Sequence, residues 1–514
     1  MKYILSFYIT LLYFLALSGQ NVDNSRRDWV WPLGYDYYSD SIGVDAVTFD
    51  FSGVATGDTM RISYGHQAFE MNRPNASVCD TTGDLLLYTN GCAFGNKVYS
   101  QVLEDYIVNY TNAHELMCYN NQGLGSPRKL LLIPDNYHEN IYHMFSHAFS
   151  LFDFGIRCDT LYYQKIITHN ENFSLQVNDE IVFEAGMKTI EDSSFLMSHL
   201  SACLHGNGKD WWIITAFQRT NTFQKYLLTD NSILGPFSQQ IGEVIFDEYD
   251  GSTGNSVFSP DGTKFVDYAI HADLQIFDFD RCTGLLSNPL HIPITDSADV
   301  YYAAGCAISN NSRYLYVAST YHVYQFDLYA TDIASSKIVV AEWDGYVDED
   351  PLFPMLFYQL QLAPDNKIYM TSPGGRTNIH VIEHPDSAGL ACQVTQHKYH
   401  LQTAISGGLP NFPYYRLGAA DPPCPVSGLV EAEGGGAASL RVRPNPVADD
   451  LWYETNAPVG TPWLLSSSLG KVMQSGSTTS SYWTRLGLGT LPPGVYMLTI
   501  QGQQGLVSKR IVKQ

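Results

Sequence analysis

The chain is poor in charge and poorer still in positive charge. Charged residues make up 16% of its 514 positions, and 52 acidic side chains face only 29 basic ones, for a net charge of −23. An excess of carboxylates on that scale excludes a nucleic-acid or anionic-lipid surface, because both would be repelled. Familiar catalytic signatures are missing as well. No G-x-S-x-G follows a strand-like run, which excludes the nucleophile elbow of an α/β-hydrolase. There is no phosphate loop and no H-E-x-x-H. No C-x-x-C occurs among the nine cysteines, so neither a zinc motif nor a dithiol redox motif is indicated. After the N-terminal segment, no apolar run approaches the roughly 20 residues that a membrane-spanning helix needs.

Aromatics and glycine are plentiful: 35 Tyr, 25 Phe, 8 Trp and 41 Gly. That composition, with few Glu–Lys runs, favours strands and turns over helices, so the expectation is an all-β protein. A chain this long exceeds one ordinary core and calls for several domains or a repeat.

A repeat is visible. One copy runs Asn255-Ser256-Val257-Phe258-Ser259-Pro260-Asp261-Gly262-Thr263-Lys264-Phe265-Val266 and then Leu274-Gln275-Ile276-Phe277-Asp278. The next centres on Asn311 with Val323 to Asp327 behind it, and a third on Asn366 with Ile379 to Ile382 behind it. Fainter copies centre on Gly83, Asn136 and Gly208. Gly and Asn at these centres tolerate the positive φ of a tight hairpin. The spacing is about 50 residues, which marks a β-propeller whose blades stack in a ring. Seven blades are favoured, with six or eight open, and a pair of β-sandwiches is the alternative. The wide gap between centres 136 and 208 suggests an insertion around Asn170 to Lys188, and the early strand Ala46 to Phe51 is expected to close the ring with strands after Cys392.

Met1-Lys2 followed by apolar Tyr3 to Leu17 and small Ser18-Gly19 reads as a secretory signal peptide cleaved after Gly19. Export makes disulfides plausible, although nine is odd and Cys203 and Cys306 sit in apolar runs where a thiol is simply a small core residue. Asp421-Pro422-Pro423-Cys424-Pro425 and Gly434-Gly435-Gly436 read as an extended exit and a flexible linker. The organisation expected is a signal peptide over 1–19, a propeller over 20–418, a linker over 419–439 and a small domain over 440–514.

The last part has its own signature. Pro444-Asn445-Pro446, then Leu491-Pro492-Pro493-Gly494-Val495-Tyr496, then Lys509-Arg510 near the end resemble the type A C-terminal sorting domain of the type IX secretion system. The resemblance implies a small β-sandwich that the secretion machinery reads as an address, and a secreted or outer-membrane-associated protein. From Ser439 on, seven basic residues against three acidic ones give +4, so the remainder carries −27. Leu362 to Tyr369 and Gly407-Gly408-Leu409-Pro410-Asn411-Phe412-Pro413 resemble the last propeller blade and its tail in large bacterial surface proteins that carry such domains. That likeness is structural and implies no catalytic residue.

Three groups could carry chemistry. His143 and His147 share a face of a strand, but two pleats apart, roughly 13 Å, they cannot share a metal; a solvent-facing strand face is the expectation for them and for His138. The acidic loops Asp247 to Gly251 and Asp344 to Asp350 could hold a structural calcium, and no other cofactor is indicated. The turns near Arg219, His271, Tyr321 and Arg376 recur at one level of the repeat, so they should ring one mouth of the propeller and form a ligand surface. The function expected is an exported binding platform for a glycan or protein ligand. The alternative is a propeller enzyme of hydrolase or lyase type acting on a polysaccharide or lactone.

Overall fold

The computed structural model describes residues 22–513 apart from 35–43, 68, 72–73, 97–100, 104–127, 153–154, 169–174, 185–194, 231, 245–253, 270–271, 295–303, 348–353, 406, 425–438, 468–471, 481 and 503–504. The expected signal peptide and most of the expected linker lie outside the described residues. The protein is all-β, with a propeller body and a small C-terminal domain.

The hairpins of the repeat show how local sequence builds the body. At Asp80, His205, Ser259, Ser309 and Ala363 a carbonyl accepts the N–H three residues on, from Gly83, Gly208, Gly262, Ser312 and Asn366. Each of those five residues has positive φ, between 61° and 97°. All six expected turn centres fall between the first and second strands of a sheet. A cation just after the turn then reaches an acid at the end of the third strand: Lys264 with Asp278, Arg313 with Asp327 at 2.8 Å, and Lys367 with Glu383 at 2.7 Å. Such half-exposed pairs add little stability each. They do explain the Ser-Pro-Asp-Gly-x-Lys hairpin and the Asp that follows it.

Before residue 406 the described residues form one three-stranded sheet (30–67) and six four-stranded antiparallel sheets (76–103, 130–184, 195–240, 254–292, 304–342 and 360–405). The first strands of consecutive sheets lie side by side. We call the hairpin end of these strands the lower rim, and the end carrying the turns between second and third strands the upper rim. Between sheets lie apolar layers, for example Val266, Leu274 and Ile276 against Cys306, Leu315 and Val317. Side-chain amides tie neighbouring inner strands: Asn255 bonds both ways with the Cys306 backbone, and Gln359 donates to the Ala304 carbonyl at 2.9 Å.

Three expectations are corrected. The gap between centres 136 and 208 is not an insertion: it is filled by strands of 12 and 14 residues, Ile141–Phe152 and Gly155–Thr168, and by the fourth strand Leu175–Glu184. The strand Val44–Asp50 does not pair with strands after Cys392, because both its edges are already taken by Val30–Leu33 and Arg61–Gln67. Residues 419–424 are not free linker, as the path of the chain after the seventh sheet shows.

That path closes the ring. Val30–Leu33 runs opposite to the other inner strands: at its start Arg27 accepts from Cys79 at the lower rim, and at its end Gly34 accepts from Met71. Beside it, residues 407–417 form a strap that descends through the channel. Gly407 and Gly408 accept from Thr371 and Asn75 at the upper rim. Asn411 donates to the carbonyls of Leu130 (3.0 Å) and Leu200 (2.9 Å), on the inner strands of the third and fourth sheets. Leu409, Phe412 and Tyr415 join Trp31, Leu33, Val47, Phe49, Leu131, Leu200, Trp211 and Tyr369 in one core. At the lower rim Arg416 pairs with Asp28 at 2.9 Å, Ala420 donates to Gly206, and Cys424 is disulfide-bonded to Cys282. Five described cysteines, including Cys203 and Cys306, are buried thiols.

The C-terminal domain is two sheets, one of three strands and one of four, around Leu451, Tyr453, Leu465, Tyr496, Leu498 and Ile511. Its signature residues have structural work. The Asn445 amide donates to Arg510 O (2.6 Å) and accepts from Val512 N (2.8 Å), which docks Pro444-Asn445-Pro446 on the last strand, Gly505–Lys513. Buried Tyr496, on the strand that Gly494 begins, donates from its hydroxyl to Pro492 O at 2.7 Å, and Leu491 is buried beside it. Lys509 pairs with Leu498 across that sheet edge.

Candidate functional site

Buried polar residues stand on and behind the inner strands of the body. Arg128, with φ of 56° at the head of the third sheet, reaches the seventh: it donates to Gln359 (3.1 Å), Gln361 (2.8 Å) and the Leu360 carbonyl. Burial pushes its pKa down to about 10. Buried Lys129 beside it is held well below the usual lysine range, again by burial. His147 bonds Thr215 at 3.0 Å and stacks on Phe195 at 5.0 Å, and burial pushes it down to about 3. His199 bonds Asp267 at 2.6 Å, and both are buried. Between the inner strands and the strap a cavity of about 60 Å³ remains, lined among others by Arg128, Ser201, Ser256, Gln361, Asn411 and Arg416.

The histidines of the third sheet are therefore not on a solvent-facing strand. His143 is buried between the Tyr163 hydroxyl (2.8 Å) and Asp135 (2.9 Å), and burial outweighs that carboxylate and lowers its pKa. Neighbouring sheets cover this face, which strand periodicity alone does not reveal. Only His138, beside Asp135 at the hairpin, keeps about half its side chain exposed. Among the described residues no three His, Cys, Asp or Glu side chains converge to hold a metal ion.

One buried pair has the outline of a catalytic dyad: Ser372 Oγ lies 3.1 Å from His380 Nε2. The backbone N–H of His397 donates to His380 Nδ1 at 3.3 Å, so the ring proton sits on Nε2 and points at the serine. A general base needs that nitrogen free. In this tautomer the imidazole donates to the hydroxyl and does not activate it, and burial pushes its pKa down to about 3.

Of the residues expected to ring one mouth, Arg219 and Tyr321 lie in turns between the second and third strands of their sheets, and Arg376 at the start of a third strand. Arg376 opens the strand Arg376–Ile382 and is only 6% exposed. Arg219 is half-buried with φ of 59°. His271 lies outside the described residues. Tyr321 is half-buried and packs against Trp343, ring centroids 5.6 Å apart. Tyr358 and Gln359, on the same rim, are buried.

Around Tyr321 the structure assembles an aromatic ledge that the sequence reading did not single out. Trp343 donates its backbone N–H to Tyr321 O at 2.8 Å and its ring N–H to Tyr346 O at 3.3 Å. Tyr346 lies 4.4 Å from the ring of His397, which lies 3.1 Å from an Asp344 oxygen. The available signal was the string Trp343-Asp344-Gly345-Tyr346, which reads as acidic if only its carboxylates are counted. Of the two acidic loops, 247–251 and 348–350 lie outside the described residues, and Asp344 is already engaged by the Tyr346 N–H (3.0 Å) and by His397.

Residues 441–514 match the secretion system C-terminal sorting domain. A domain of that kind implies contact with the type IX machinery and a secreted or outer-membrane-associated protein. No described helix is long and apolar enough to cross a membrane. No curated protein matches the chain. Among solved structures, a Lactobacillus plantarum protein is 14% identical, with a TM-score of 0.41 over 74% of this chain and 98% of its own. A Desulfotomaculum acetoxidans protein of unknown function is 12% identical, with a TM-score of 0.40 over 74% and 99%. The periplasmic gluconolactonase of Pseudomonas aeruginosa is 11% identical, with a TM-score of 0.35 over 89% and 99%. Likenesses of that size say nothing about this chain's chemistry.

Proposed function

We propose that this is an exported recognition protein, in which an acidic propeller presents a ligand surface on its upper rim and the C-terminal domain carries it out of the cell. The observation that carries the reading is the strap. Residues 407–417 occupy the channel and leave beside them a cavity of about 60 Å³, room for a few waters only, so the surface the body offers a larger ligand is its rims. On the upper rim a partly exposed aromatic ledge, with Tyr346 its exposed ring, supplies amphipathic rings beside hydrogen-bonding groups, a combination suited to recognition. The test is to purify the exported full-length protein and screen it against arrays of glycans and of extracellular proteins. Saturable binding of one ligand class supports the reading.

The hydrolase or lyase reading rests on a different observation, the buried His199–Asp267 pair at 2.6 Å on the inner wall. A carboxylate so placed orients an imidazole for proton transfer. Turnover of a lactone or polysaccharide that His199→Asn abolishes would replace the recognition reading with this one.

A further inference from the structure

The ledge on the upper rim is built, and its composition names a ligand class. Its two aromatic pairs, Tyr321–Trp343 and Tyr346–His397, are tilted 47° and 39° and are joined by the Trp343 ring N–H to the Tyr346 carbonyl. Tyr346 is 42% exposed and the Asp344 side chain 43%, side by side on one turn. Beneath them His397 is held in a strained backbone conformation, φ 52°, where the pairing of the last two strands of the seventh sheet shifts between Ile379 and Val381. A residue of this type in the left-handed region costs on the order of 1 kcal/mol, and such strain gathers at ligand sites. The strain places the ring against both Tyr346 and Asp344.

Partial burial works to raise the Asp344 pKa, but the Tyr346 N–H and the His397 ring outweigh it and hold the carboxyl ionised. Because both neighbours already bond it, Asp344 offers a fixed hydrogen-bond acceptor more than an open charge. Hydroxyl groups suit such an acceptor. Uronate, sulfate and phosphate do not, and the −27 body repels them too. A cationic peptide side chain would want an enclosing cage of rings; these rings form an open ledge.

We propose that Tyr346, Trp343 and Asp344 form a subsite for a neutral saccharide, the C–H face of a pyranose lying on the aromatic rings and its hydroxyls donating to the carboxylate. This rests on the reading of the body as a recognition platform and gives that platform its ligand.

The experiment titrates the full-length protein by calorimetry with neutral glucan, mannan, xylan and chitin oligosaccharides, alongside a basic peptide and a sulfated glycan. The expected result is binding of at least one neutral oligosaccharide, weakened about tenfold or more by Tyr346→Ala and by Asp344→Ala, as for other aromatic and charged anchors. Melting temperatures should stay at the wild-type value, and Tyr346→Phe, which keeps the ring, should restore binding. Neutral-sugar binding that neither substitution alters overturns this subsite and leaves the platform reading standing. Binding of the basic peptide or sulfated glycan alone overturns the ligand class. Absence of any neutral-sugar binding overturns the proposal outright; a protein ligand found on the arrays would then still support the platform.

Discussion

Cys282 and Cys424 join, across 142 residues, the fifth sheet to the point where the strap leaves the channel. The bond passes directly over Gly206: a Cβ there would stand 2.2 Å from one sulfur and 2.7 Å from the other. Arg281, one residue before the cystine, adds hydrogen bonds to the carbonyls of Leu204 and Gly418.

A loop of that length makes this tie count. Cys424→Ser should lower unfolding free energy by about 3–5 kcal/mol, the loop-closure magnitude. Gly206→Ala should cost a comparable amount for a steric reason, and much less once both cysteines are serine. Urea unfolding of the wild type, Gly206→Ala, Cys282→Ser/Cys424→Ser and the triple variant gives the cycle. An undiminished Gly206→Ala cost without the disulfide would show that the glycine serves something else.

Asn411 is the strap's polar anchor. Its amide meets carbonyls of the third and fourth sheets, so Asn411→Leu leaves buried acceptors unpaired and should cost about 2–3 kcal/mol. Asn411→Asp should be worse, because a carboxylate would face those carbonyls. Denaturant midpoints at neutral pH check the order.

The strap makes a prediction about boundaries. A chain ending at residue 424 should melt close to the intact body, whereas one ending at 405 loses buried Leu409, Phe412 and Tyr415. At about 1.5–3 kcal/mol per buried side chain, that loss should leave the body expanded and dye-binding. Circular dichroism melts with a hydrophobic dye distinguish the two. Equal melting of both chains would mean the strap is not the closure.

Stability should depend on pH through two buried histidines. His147 and His380 are each pushed down to about 3 by burial, against an ordinary value near 6.5 in the unfolded chain. Below about 6.5 the unfolded chain therefore takes up two protons that the folded protein refuses. Stability should fall as pH drops from 6.5 towards 4, by about 2.7 kcal/mol per pH unit from these two groups, with His143 and His205, also lowered by burial, adding in the same direction. Asp210 and Asp365, raised by burial, oppose this at the acid end. Urea unfolding at pH 7, 6 and 5 measures the slope, and His147→Phe should remove about one proton from it.

Passage from the periplasm to the outside should depend on the C-terminal domain. Deleting 440–514 should leave a folded body in the periplasm, whereas Asn445→Ala, which loses both bonds to the last strand, should reduce secretion. Cell fractionation reads both. A deleted form recovered outside the cell would sink the address reading.

What the chain determined locally was readable as sequence. Gly and Asn tolerate the positive φ of a tight hairpin, so Gly83, Gly208, Gly262 and Asn366 announced their turns, although at Asn311 it is the next residue, Ser312, that takes it. The apolar runs around them announced strands. The Pro-Asn-Pro, Leu-Pro-Pro-Gly-x-Tyr and Lys-Arg elements announced the C-terminal domain because their order is linear. The Gly407 to Pro413 segment was recognisable as a propeller's tail, but not as a strap running down its channel. That depended on contacts with residues some 280 positions earlier, such as Leu130 and Leu132, which no local pattern encodes. The burial of His143 and His147 was likewise decided by the sheets packed over them, since a strand's periodicity says which side chains share a face and not whether that face meets water. The meeting of Tyr346, Asp344 and His397 required two sheets to stand side by side, and so belongs to the tertiary structure alone.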